Sequence, residues 1–63
     1  MFGHKSEATQ AAVNAVSTAT TVINSYGQNS TEAASAMQAA RDSVNAARAE
    51  GATDTDFRTT RPK

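Results

Sequence analysis

The residues able to do chemistry in this chain are few and scattered. His4 is the single histidine. A general base needs a partner that orients it and a pocket around it. Neither lies near His4 in the sequence, so an exposed terminal imidazole is the better reading. Asp54 and Asp56, with Glu50 close by, present oxygen atoms suited to a hard divalent cation. No glycine-anchored loop closed by a bidentate Glu surrounds them, and they read as a solvated acidic turn. Serine and threonine abound, yet no Ser-His-Asp or Ser-Lys arrangement has a pocket to work in. Cysteine is absent, which removes disulfides, thiolate metal sites and thiol catalysis. The expectation is a chain with no catalytic, cofactor-binding or metal-binding residues and no small-molecule substrate, hence not an enzyme.

The cations offer binding chemistry instead. Phe57 is followed by Arg58, Arg61 and Lys63 with no acid between them. One stacking ring with three positive charges is the composition that grips phosphates or a single nucleic-acid strand, weakly and in a salt-sensitive way. The same residues also suit a segment that seats Phe57 in an apolar notch on a protein and pairs its arginines with carboxylates, and this second reading is preferred. Arg41 and Arg48, seven apart on one helix edge, read as rim residues or ion-pair partners across an interface. Phe2 is the one large anchor of the N-terminal stretch. The expected partner-binding set is therefore Phe2, Arg41, Arg48, Phe57, Arg58, Arg61 and Lys63.

Two helices must position these groups. From Ala8 to Tyr26, at about 100° per residue, Ala8, Ala11, Ala12, Ala15, Val16, Ala19, Val22, Ile23 and Tyr26 fall within an arc of roughly 140°. Thr9, Gln10, Asn14, Ser17, Thr18, Thr20, Thr21, Asn24 and Ser25 occupy the remainder, and only Val13 sits on the wrong side. Ser6 and Glu7 suit the start of this helix, and Gly27 suits its end. Asn29 or Ser30 opens a second helix, with Asn29 and Glu32 at capping-box spacing. Its apolar arc holds Ala33, Ala36, Met37, Ala40, Val44 and Ala47, and Gly51 stands where it should stop. Ala8, Ala12, Ala15, Ala19, Val22 and Tyr26 follow 4-3 spacing, as do Ala33, Met37, Ala40, Val44 and Ala47. These are heptad seams. Val16 and Ile23 are counted in the same packing seam, which resembles the alanine-lined antiparallel coiled coils of several unrelated helical proteins, a style of packing rather than a family.

The predicted fold class is all-α: a two-helix antiparallel hairpin with an extended C-terminal tail. Its boundaries are an irregular lead-in over 1–5, helices over about 7–26 and 30–50, a turn at 27–29, and an extended, basic-ended tail over 52–63. Composition adds a constraint. The 63 residues include fourteen Ala but no Leu and no Trp. Methyl groups on one isolated hairpin supply little buried area against the entropy of ordering it, so the chain is expected to be stable chiefly as an oligomer or on a partner.

Lys and Arg balance Asp and Glu at six each, and no global field points to nucleic acid or a membrane. The uncharged run from Ala8 to Thr31 is too rich in Asn, Ser and Thr to span a bilayer. The N-terminus has no apolar signal core, giving an expectation of cytoplasmic synthesis with later incorporation into a particle. Exposed helices normally carry Lys and Glu. A five-turn face of Ser, Thr and Asn suits packing against neighbours, because such groups cost little to desolvate compared with charges. The expected function is a small non-enzymatic structural or accessory subunit of a larger assembly, with a virion or similar particle as the first setting. The alternative is a nucleic-acid-associated module using the Arg/Lys tail.

Overall fold

A computed structural model describes residues 4–63. The described chain is helical, with α1 over His4–Tyr26, α2 over Thr31–Ala49 and a short α3 over Asp54–Thr59. The two long helices pack against each other. Ala12, early in α1, and Ala47, late in α2, share one buried cluster with Ala52, so the chain doubles back on itself in a hairpin.

Each reversal has a local cause. Gly27 adopts φ +96°, and its N–H donates to the Ile23 carbonyl at 2.9 Å, closing α1 with a left-handed residue. Ser30 then caps α2: its Oγ accepts from the Ala33 N–H at 3.0 Å and donates to the Gly27 carbonyl at 2.8 Å. With Ser30 as the cap, the third helical residue is Ala33, so the box expected from Asn29 and Glu32 is not the one used. At the far end of α2, Gly51 adopts φ +98°. Its N–H donates to the Arg48 carbonyl, and the Ala52 N–H donates to the Ala47 carbonyl, both at 3.0 Å. This is a Schellman motif, completed by the apolar contact of Ala52 with Ala47.

The buried residues are smaller and fewer than the seams predict. Ala12 and Ala19 on α1, and Ala33, Ala40 and Ala47 on α2, are buried, each seven residues from the next on its own helix. Ala8, Ala15, Val22, Ile23 and Val44 are half-buried. Val16, Met37 and Tyr26, expected in the seam, are 45%, 37% and 62% exposed. The reason is steric. A methyl at every seventh position fills the line where the two helices meet, and the larger side chains of the same arcs stand toward the rim.

Two further expectations are corrected at the ends. α1 begins at His4, so residues 4 and 5 belong to the helix and Ser6 lies in its first turn rather than at its cap. Lys5 is held in that turn by an ion pair to Asp56 at 3.2 Å, a contact no local signal reports. The segment 52–63 is not extended throughout, because Asp54–Thr59 is helical. Phe2 lies outside the described residues.

The burial of Ala40 between the helices predicts an asymmetry between neighbouring alanines. Ala40→Leu is expected to destabilise the hairpin by about 1–3 kcal/mol through overpacking. Ala39→Leu, on the exposed side of the same helix, should change stability by less than about 0.5 kcal/mol. Urea midpoints followed by far-UV circular dichroism compare the two.

Candidate functional site

The C-terminal segment folds back over α1 and builds the site. Thr53 caps α3 with a reciprocal box. Its Oγ1 accepts from the Asp56 N–H at 3.3 Å, and the Asp56 carboxylate accepts from the Thr53 N–H at 2.9 Å. The same carboxylate oxygen receives the Lys5 ammonium at 3.2 Å. The Thr53 N–H and then the Lys5 ammonium hold the Asp56 carboxyl below its ordinary pKa, with desolvation opposing them. Thr9 lies under this contact: it is buried, donates to the Lys5 carbonyl at 2.7 Å, and shares a crevice with Lys5, Gln10, Asp56 and Thr60.

Phe57 is half-buried against the Ala12–Ala47–Ala52 cluster. The Arg48 guanidinium covers its ring at 5.3 Å from the centroid and reaches Asp54 Oδ1 at 3.2 Å. Beyond α3, two amides of α1 hold the final residues. Gln10 Nε2 donates to the Arg61 carbonyl at 2.8 Å, and Asn14 Oδ1 accepts from the Lys63 N–H at 2.8 Å. Gln10 also donates to Asn14 Oδ1 at 3.0 Å, so the two amides act as one clasp.

Between this clasp and the hairpin runs an open groove of about 670 Å³. Val13, Val16, Ser17, Thr20 and Thr21 form its α1 wall, Val44 and Arg48 its α2 side, and Phe57, Arg58 and Pro62 its rim. Val13, which stands off the apolar arc of its helix in the sequence, faces this groove. The uncharged face of α1 is thereby divided. Thr9, Gln10 and Asn14 contact the chain's own C-terminal segment, while Ser17, Thr20 and Thr21 line the groove.

The structure brings together Arg48, Phe57 and Arg58 from the expected partner-binding set. Arg41, Arg61 and Lys63 are exposed, and Arg61 and Lys63 meet α1 through backbone atoms alone. Lys5, Gln10, Asn14, Val13 and Pro62 were missed by the sequence reading. Of the carboxylates, Asp54 is engaged by Arg48, and Asp56 by Thr53 and Lys5. Among the described residues no group of three or more His, Cys, Asp or Glu side chains could hold a metal ion. No described helix is long and apolar enough to cross a membrane.

Asp56 gives the docking of α3 a signed pH dependence. A carboxyl whose folded-state pKa is lowered stabilises the fold above its unfolded pKa, and that contribution disappears as pH falls through the folded value. The packing of the Phe57 ring on the hairpin should therefore loosen progressively as pH falls from about 4 through the lowered Asp56 value. In Asp56→Asn, this acid transition should vanish and the ring should be looser at neutral pH. Aromatic NMR shifts of Phe57 across pH 2–7 provide the readout. In comparison with known proteins, no protein-family model matches this chain, and no curated protein or solved structure matches it.

Proposed function

We propose that this chain is a small non-enzymatic structural or accessory subunit, an alanine-seamed antiparallel hairpin that packs through its helix faces in a larger multi-subunit assembly. One observation carries the reading. Among the described residues no large side chain is fully buried, whereas Val16, Met37 and Tyr26 stand exposed on the hairpin. A partner that covers them supplies the apolar burial that a 63-residue chain without leucine lacks. A virion or comparable particle is one setting that surrounds a subunit with such neighbours. The C-terminal segment contributes as a clasp that shapes α1, with its side-chain cations directed outward for the partner.

A nucleic-acid role draws its support from Arg41, Arg58, Arg61 and Lys63, all exposed. It loses the stacking group, because Phe57 packs on the chain's own core beneath Arg48. Cations alone give a weak contact that declines steeply with salt, and the assembly role is the better supported of the two.

Light scattering and circular dichroism on the purified chain test the assembly role. At low micromolar concentration the chain should be self-associated or incompletely helical, and a stable, fully helical monomer would overturn the proposal. Replacing both Thr18 and Thr21 by Lys places charge on the uncharged face of α1. Assembly should then fall at least tenfold in apparent affinity, whereas unchanged assembly would show that face to be merely solvated.

A further inference from the structure

The hairpin carries a second apolar strip that the described chain covers at one end only. Val16 and Ile23 on α1, and Met37 and Val44 on α2, are each seven residues apart. Positions so spaced lie within about 20° of each other on a straight helix, so each pair marks one strip. Val16 and Val44 both line the groove, which joins the two strips into one face. Phe57 and Pro62 close its end next to Ala12. The Thr20 and Thr21 hydroxyls donate to the Val16 and Ser17 carbonyls of their own helix at 3.1 and 3.2 Å. Those two hydroxyls ask for no donor or acceptor from an occupant.

Charge identifies what fits. Arg48, four residues after Val44, and Arg58 line the groove, and Arg41, seven residues before Arg48, stands about 20° from it around α2, beyond the lining. Asp54 is the single acid of the lining, and Arg48 already holds it. Neither Arg41 nor Arg58 forms an ion pair among the described residues. The groove is therefore apolar along its floor, with Arg58 an unpaired cation at its rim and Arg41 continuing the line of Arg48 beyond it.

Resting on the assembly role, we propose that this groove receives an amphipathic helix of a partner protein. Its apolar residues follow i, i+3, i+4, i+7 spacing, and carboxylates beside them meet Arg41 and Arg58. Helix-in-groove recognition has this form. The α1 wall from Ala12 to Thr21 is about 14 Å long at 1.5 Å per residue, which suits a helix of ten to fourteen residues. A second copy of this chain is a poor occupant. α1 carries one acid, Glu7, and the two acids of α2, Glu32 and Asp42, lie about 80° apart around the helix. Neither helix of a second copy offers an apolar strip flanked by carboxylates.

The test uses a synthetic fourteen-residue helical peptide with Leu at i, i+3, i+4, i+7 spacing and Glu at the flanking positions, beside a twin with Lys for Glu. Titration into isotopically labelled chain should give saturable NMR shifts at Val13, Val16, Val44 and Phe57, with the Lys twin at least tenfold weaker. The double variant Arg41→Glu, Arg58→Glu alters exposed side chains only. It should lose at least tenfold in affinity for the Glu peptide and gain affinity for the Lys twin. Equal binding of both peptides, no binding, or shifts confined to other surfaces would overturn the proposal. So would saturation of the same residues by sodium decanoate with the peptides inert, or a self-association abolished by Val16→Asp. If the peptides fail while light scattering still shows assembly, the groove assignment falls and the assembly role stands.

Discussion

The contact between α1 and α2 governs everything else in this molecule. Alanine at every seventh position on both helices occupies the contact between them, and the side chains that fit there decide which others are inside. Ala12, Ala19, Ala33, Ala40 and Ala47 fill the contact, and the valines, the isoleucine and the methionine are displaced toward its edges. Dispersion between closely packed methyls and backbones replaces the bulk of a leucine core. A surplus of apolar surface at the rim follows directly from this choice. The groove walls are made of that surplus.

The C-terminal clasp depends on the same geometry. Phe57 is the largest side chain packed against the alanine cluster, and it has a place there because Ala12, Ala47 and Ala52 leave a shallow seat. Polar contacts then fix it: Lys5 to Asp56, Arg48 to Asp54, and the Gln10–Asn14 pair to the backbone at Arg61 and Lys63. Exposed ion pairs contribute little one at a time. Here their effect is directional, since each ties a different point of the segment to one side of α1. The uncharged residues of that side are thus partly explained by a neighbour within the same chain.

What the sequence disclosed and what it withheld divide along physical lines. The two long helices, the glycine reversals and the seven-residue alanine spacing are local or periodic properties, and they are readable from residue types. Val16 and Tyr26 share the apolar arc with Ala12 and Ala19, and periodicity alone cannot say how close the partner helix comes, so it placed all four in the seam. Thr9, Gln10 and Asn14 belong to the uncharged face that residue types mark as suited to neighbours, but which neighbour they meet was not legible, because the chain that meets Gln10 and Asn14 lies some fifty residues away. The start of α1 moved for the same reason, through Lys5. α3 was the one local feature overlooked: Thr53 and Asp56 stand at capping spacing, with the shorter Asp where Glu is the more familiar signal. Val13 is instructive because its misfit on one face marked a second face.

The clasp also joins segments that are nearly as far apart along the chain as its length allows. Lys5 meets Asp56, and Asn14 meets Lys63. The entropy of closing a loop grows only logarithmically with its length, and with α1 and α2 already packed the two ends of the link lie close together. Its two sides then open together. Fraying of the first turns of α1 and release of the C-terminal segment become one event rather than two. A protease cut after Thr53 would therefore be felt at the opposite end of the sequence, as faster amide exchange around Lys5 and Thr9.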